Sequence, residues 1–382
     1  MSSIEAVHAG AASTAYCTSL VEALDLGRHV WDDLLARTGD VSPFMSWAWH
    51  RAWADGASAQ DLSESHAVLV RGADHTVQAI LPVAVRPTLF RRMRVNVLAW
   101  AIGDLGCPDH LDVLACHGAD VDAILPAIES LPWDVIRLGN LVEGAPNAAR
   151  LAAALARRGH RVRWRVGWSC PYLELPVSWD DYLGTLSATR RQALRREERK
   201  LVRERAAVLT DYEPGRWQEG WQHLRALHER RWNGTSELSA ASTEQLHRRF
   251  AHEWAGRGQV WLTTLDLEGE PAAAWYGFAD ADTVYFYQGG RDPRWARASV
   301  GKVLMEMMLR RAIERGYRRF DFLRGDDPYK LEWTRTERTT RVLVVFRRGV
   351  RGRWLQGLDR VGGWKARLMS PRPKAKAAGA PR

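Results

Sequence analysis

Apolar positions recur in two periods along this 382-residue chain, and the switches between them divide it into elements. A spacing of three to four residues predicts early helices at about Gly27–Ala36 and Ser46–Trp53. Alternation then predicts a hairpin, His66–Arg71 and Thr76–Arg86, around the turn Gly72-Ala73-Asp74. Strands at Arg94–Ala101 and Asp134–Leu138, with helices at Asp120–Ser130 and Ala148–Arg158, the latter closed by Gly159, complete a first α/β unit.

A second unit opens near residue 171. His160–Pro176 reads as strand, and Ser178 begins one long helical stretch to about Arg205. Helices follow at Arg216–Trp232 and Thr243–Ala255, then strands at Gln259–Asp266, Ala272–Phe278 and Thr283–Gln288. A helix from Ser299 to Arg315 and strands at Arg319–Leu323 and Arg341–Phe346 end the pattern. Each half places hairpin strands before a helix and a further strand, which predicts an α/β (α+β) architecture built twice. The expected division is 1–170, 171–347 and a tail, 348–382.

Composition alters this picture at one point. Hydrophobic residues make up 46% and charged residues 26%, as expected for a chain that packs throughout. The net charge of +10 resides in residues 347–382, which hold eleven basic residues and one acid, Asp359, so the body is neutral. A charged tail on a neutral body argues against nucleic acid as partner and leaves a peripheral contact with an anionic membrane open. Trp354, Leu358, Val361 and Leu368 fall at near-helical spacing among arginines, interrupted by Gly352, Gly357, Gly362 and Gly363, so this stretch is either an amphipathic surface helix or a docked or fraying tail. Disorder is expected from about Ser370. The four cysteines form no CxxC pair and read as reduced thiols. Met1–Ala15 has no apolar leader core and no run reaches membrane-spanning length, which points to the cytoplasm, with the inner membrane face as a peripheral option.

Candidate chemistry concentrates between Tyr285 and Trp333. Val300, Val303, Leu304, Met307, Met308, Ala312 and Ile313 give the helix there one apolar face, with Ser299 placed to cap it and Gly316 to end it. Lys302 sits in its first turn, where a cation costs roughly 0.3–1 kcal/mol unless an anion is bound. Gly289, Gly290 and Gly301 allow backbone amides to approach a phosphate, and Arg291, Arg294, Arg297 and Lys302 supply charge. The alternative is a glycine turn with solvated arginines. The stretch Arg190–Arg205 carries eight basic and three acidic residues, either a solvated face with i,i+4 pairs or a phosphate-binding surface. Asp104, Asp109, His110 and Asp112 match no standard metal spacing, and His223 and His228 stand five apart, so no metal is expected; the acidic loop remains a candidate for binding an acceptor.

The string from Phe286 through Gly289-Gly290, Ser299-Val300-Gly301 and Phe320–Trp333 resembles the C-terminal half of GNAT-superfamily acyltransferases found beside polysaccharide genes (CelD/BcsL type), relatives of the Fem-type aminoacyl transferases. The likeness covers about residues 170–347; the first half is similar only in pattern, notably Pro43-Phe44, Ser46-Trp47 and Asp104–Asp112. The resemblance implies two tandem GNAT-like domains, each a mixed, mainly antiparallel sheet flanked by helices. It also implies acetyl-CoA or another acyl-CoA as donor and transfer to an amine or hydroxyl of a small-molecule or glycan-precursor acceptor.

The donor pyrophosphate would lie on Gly289, Gly290, Arg297, Ser299, Gly301 and Lys302, although the family's usual loop is not reproduced, since Arg297 precedes Gly301 by four positions and Val303 takes the last small-residue place. A thioester carbonyl needs polarising, and the acceptor must lose a proton. In the loop Arg324–Lys330, Asp326 is therefore the candidate base or acceptor-orienting carboxylate, Lys330 the charge stabiliser and Tyr329 the acid. Two other readings stay open: a Fem-type transferase taking its donor from aminoacyl-tRNA, and a non-catalytic protein that uses its tail to bind membrane or nucleic acid.

Overall fold

A computed structural model describes residues 13–90, 93–232, 238, 240–255 and 259–360. In it β1 (Thr14–Ser19), β2 (Ser65–Arg71), β3 (Val77–Phe90) and β4 (Met93–Trp100) form an antiparallel run, with short β5 (Leu114–Ala115) paired to β3. β6 (Val135–Leu141) then lies parallel to β4. β7 (Arg161–Glu174) leads into the second half, where β8 (Val208–Asp211), β9 (Val260–Leu267), β10 (Glu270–Asp280) and β11 (Thr283–Arg291) repeat the antiparallel run. β12 (Arg319–Asp321) is parallel to β11, as β6 is to β4. An antiparallel meander closed by a parallel crossover therefore occurs twice, and the fold is a mixed α/β sheet flanked by helices.

The last strand, β13 (Glu337–Phe346), returns between β6 and β7, giving the order β1-β2-β3-β4-β6-β13-β7-β12-β11-β10-β9-β8. β7 joins the halves physically. At about 3.3 Å per residue its 14 residues extend about 46 Å. Its residues 161–171 pair with β13 and its last three, Tyr172–Glu174, with β12.

Two expected features differ. The long helical stretch after Ser178 is two helices, Trp179–Thr185 and Ala188–Arg205, because Leu186 is extended (φ −89°, ψ 154°) and the Ser187 hydroxyl caps the second by accepting from the Arg190 amide at 3.2 Å. In the tail, Val350–Arg360 is a helix whose Leu355 packs with Phe90, Val135 and Phe346 beneath the first half of the sheet. Asp359 is buried there between Arg163 and Arg165 of β7. This part of the tail is docked, and the disorder expected from Ser370 lies outside the described residues.

The halves share one aromatic core. Phe44 meets Phe278 at 5.4 Å between ring centroids, and Trp49 meets Phe250 at 4.9 Å, both edge-on. Beside it runs a buried ionic network. Asp109 accepts from the Arg324 amide (3.0 Å) and Nε (2.8 Å). The His110 ring lies 3.2 Å from Asp321, which also takes a hydrogen bond from Arg338 at 2.8 Å. Arg338 continues to Asp40 at 2.6 Å. Burial would push the Asp321 carboxyl up, but His110, Arg338 and the Leu323 amide together hold it well below the usual carboxylate range. Arg338→Met should therefore destabilise the protein by about 3–5 kcal/mol in urea unfolding, because it strands a buried carboxylate, and adding Asp321→Asn should recover part of that loss.

Candidate active site

β11 and β12 stay paired only over Thr283–Tyr285 and Arg319–Asp321. Beyond that point β11 continues to Arg291 while the chain after Asp321 turns away. β11 also carries a bulge: Gln288 pairs with Tyr276 and Phe286 with Gly277, leaving Tyr287 as the extra residue. A bulge re-aims neighbouring side chains, and Phe286, Tyr287 and Gln288 in succession all line the space that opens.

Two cavities occupy this space. The larger, about 630 Å³, is built from both halves: Asp104–Cys107 and Asp109 from the first, His228, Arg324, Asp327 and Lys330 from the second. The smaller, about 370 Å³, is lined by Gly289, Gly290 and Arg291 of β11, by Ser299, Gly301 and Lys302 at the start of the Val300–Glu314 helix, and by Trp333. Arg231, Phe286 and Tyr329 belong to both, so these three side chains mark where the cavities join. The Arg231 guanidinium lies over the Tyr329 ring at 5.4 Å, and Phe286 meets that ring edge-on at 6.5 Å.

The candidate phosphate loop is only partly assembled as expected. Gly289, Gly290, Ser299, Gly301 and Lys302 line the smaller cavity, whereas Arg297 is exposed and lines neither. Ser299 stands at the helix start in the left-handed region (φ 55°) and gives no side-chain cap, leaving the first-turn amides of the Val300–Glu314 helix without one. The Lys302 charge is already opposed by Glu197 at 3.6 Å and Glu332 at 3.9 Å, which explains how a cation is tolerated in that turn. Gly290 has a packing role as well, since a Cβ there would meet the His228 nitrogen at 2.6 Å and the Leu227 carbonyl carbon at 2.8 Å. Gly301 is open: a Cβ would meet only the Arg291 Cδ, at 3.5 Å.

In the loop after β12, Asp326 is exposed and lines neither cavity, while the adjacent Asp327 lines the larger one. Lys330 is buried; its Nζ donates to the Arg324 carbonyl at 2.6 Å and lies 3.7 Å from Asp327. Burial lowers the pKa of this ammonium and raises that of the Tyr329 hydroxyl. His228 was set aside in the sequence as an unmatched zinc spacing, yet it faces the larger cavity as a neutral imidazole, its pKa lowered by burial and by Arg231 to about 4. Nothing in its spacing marks it. The acidic loop divides: Asp104 and Asp109 line the larger cavity, His110 holds Asp321, and Asp112 accepts from the Val113, Asn147 and Ala148 amides, capping the Pro146–Arg157 helix.

On the Ala188–Arg205 helix two of the three carboxylates, Glu197 and Glu198, turn inward, while Glu204 is exposed. Glu197 faces Lys302, and Glu198 takes a bidentate pair from Arg310, both bonds 2.9 Å. Arg195, Arg196, Arg199, Lys200 and Arg203 are exposed together with Glu204, so the outer face of this helix is solvated and mostly cationic.

Residues 188–331 match the acetyltransferase (GNAT) domain family, a segment that supplies most of the smaller cavity and the second-half wall of the larger one. No curated protein matches the chain. Among solved structures, it is similar to a conserved protein of unknown function from Bacteroides thetaiotaomicron VPI-5482 (13% identity, TM-score 0.56, covering 85% of this chain and 98% of that one). FemX is similar at 10% identity and a TM-score of 0.56, with 87% and 98% covered. L-PGS from Bacillus licheniformis is similar at 12% identity and a TM-score of 0.52, with 88% and 97% covered. At such identities these likenesses show the fold.

The glycines should separate by substitution. Gly290→Ala should lower stability by about 2–4 kcal/mol, as overpacking against backbone does, while Gly301→Ala should stay within about 0.5 kcal/mol of the parent; paired urea titrations check both.

Proposed function

We propose that this acyltransferase takes its acyl group from acyl-CoA, acetyl-CoA being the simplest donor, and passes it to an amine or hydroxyl of a small sugar-like acceptor such as a glycan precursor. The observation that carries this reading is the meeting of two cavities at Tyr329, Phe286 and Arg231. The smaller cavity suits the donor. Beyond Tyr285 the β11 edge has no parallel partner from β12, so its amides and carbonyls are available to the amides of an extended pantetheine arm. The uncapped first turn of the Val300–Glu314 helix, with Arg231 and Arg291 near it, suits the pyrophosphate. The larger cavity, assembled from both halves with Asp104, Asp109, His228, Asp327 and Lys330 set among mostly apolar walls, takes the acceptor.

In this arrangement the acceptor nucleophile attacks the thioester carbonyl carbon, a new C–N or C–O bond forms, and the C–S bond breaks. Neutral His228 accepts the proton that the nucleophile sheds. Tyr329, kept protonated by burial, donates its proton to the departing thiolate and is reprotonated from solvent. Asp327 orients the acceptor, replacing Asp326 in that role, and Lys330 fixes the loop through the Arg324 carbonyl. The exposed face of the tail helix, with Val350, Arg353, Trp354 and Arg360 outward, supports a peripheral contact with an anionic membrane surface. Among the described residues, no helix is long and apolar enough to cross one.

A second reading draws on the cationic face of the Ala188–Arg205 helix, which would also accommodate the phosphates of an aminoacyl-tRNA donor. Calorimetry with acetyl-CoA decides between them: micromolar to millimolar binding, lost in Gly301→Glu, supports the first, whereas no binding by the intact chain, together with tRNA binding that weakens steeply with salt, supports the second. Once an acceptor is in hand, Tyr329→Phe and Asp327→Ala should each reduce kcat at least tenfold, and Asp326→Ala should leave it within about threefold. Since His228 loses its proton-accepting form only near pH 4, kcat/KM should hold level down to about pH 5 instead of declining near 6.5.

A further inference from the structure

The first half contains a cleft of its own that the proposed reaction does not use. β4 and β6 are paired in parallel only at Val97–Val135 and Leu98–Ile136 and then part, as β11 and β12 do in the second half. The cleft lies on the sheet face covered by the Val350–Arg360 helix and begins where that helix ends, at Asp359. Its walls are mostly apolar, with Val97, Ala99, Val135, Val342, Val344 and Trp168 facing it, and it encloses about 100 Å³. No glycine turn leading into a helix follows β4, so the feature that suits a pyrophosphate in the second half is missing here.

Polar side chains also reach these walls, Asp104, Asn140, Arg165 and Asp359 among them, and of the two arginines Arg137 is the one that no carboxylate of the described residues pairs. It projects from β6 on the same face as Val135, is partly buried, and forms no hydrogen bond or ion pair with any described residue. Burial lowers its pKa; Asp104 attracts it from too far away to pair, and Arg165 repels it. Arg165 shares the Asp359 carboxylate with Arg163 and so keeps its own ion pair. A partly buried guanidinium that no carboxylate touches keeps its donors available, and its planar fork matches a carboxylate. We propose that this cleft binds a short-chain carboxylate of about two to four carbons, its carboxylate on Arg137 and its alkyl end against Val97, Val342 and Val344.

Size and charge select this occupant. A volume near 100 Å³ is smaller than the roughly 150 Å³ of a cavity that holds benzene, so a long acyl chain does not fit. The chain beyond Arg360 carries Lys365, Arg367, Arg372, Lys374, Lys376 and Arg382 and no acidic residue, so it brings no side-chain anion to Arg137.

The test uses the full chain at constant ionic strength, titrated calorimetrically with sodium butyrate and sodium acetate and compared with Arg137→Met, whose side chain keeps most of the length without the charge. Butyrate should bind the parent and bind Arg137→Met at least tenfold more weakly, with acetyl-CoA affinity the same in both, which separates this site from the donor cavity. Arg137→Met should also melt no lower than the parent, because it removes an unpaired cation. Equal butyrate affinity in both proteins overturns the proposal, as does an absence of butyrate and acetate binding to the parent. A lowered melting temperature in Arg137→Met together with no binding would assign the guanidinium to the chain's own C-terminal residues and overturn it equally.

Discussion

The site depends on a buried ionic seam between the two halves of the sheet. Asp109 grips Arg324 through its backbone amide and its guanidinium, and His110 and Arg338 both hold Asp321. Asp321 ends β12 and Arg324 begins the loop that carries Asp327, Tyr329 and Lys330, so the seam sets both where β12 leaves β11 and where that loop stands. Buried ion pairs are weak sources of net stability, because desolvation offsets most of their attraction. Their value here is positional: each is satisfied in one arrangement of the halves, and that arrangement creates the cavity wall.

Around the seam, the fold supplies cavities by interrupting its own pairing. A parallel pair that lasts three residues and then diverges leaves a strand edge and a gap, and the bulge at Tyr287 turns three successive side chains toward it. The same divergence in the first half leaves a smaller cleft without a glycine turn and helix behind it. One architecture thus gives two clefts of different chemistry, one edged by glycine amides and a helix start, the other mostly apolar with Arg137 and Arg165 in its wall.

Much of this was legible in the sequence where periodicity is strong. The Val300–Glu314 helix, with its apolar face and Gly316 (φ 81°) just beyond it, and strands β9 to β11 fall close to their expected positions. β1 and the four-residue β8 were not legible, since Thr14–Ser19 and Val208–Asp211 show little alternation and form by pairing with distant strands. The break at Leu186 was hidden because Ser187 reads equally well inside a helix and as a cap. At the candidate site, the segment singled out in the sequence lines both cavities, with Asp327 and not Asp326 facing the larger one and Arg297 exposed. Side-chain direction in a loop follows from tertiary contacts such as Lys330 to the Arg324 carbonyl, which no local pattern encodes. His228 and Arg137 escaped for the same reason, as each acquires its character from what buries it.

A structure of the protein with acetyl-CoA bound tests the central claim most directly. In it the pantetheine arm should lie along β11 beyond Tyr285, the pyrophosphate at Gly301 and the first turn of the helix, and the thioester sulfur within hydrogen-bonding reach of the Tyr329 hydroxyl. A donor seated anywhere else, or with its sulfur remote from Tyr329, would contradict it.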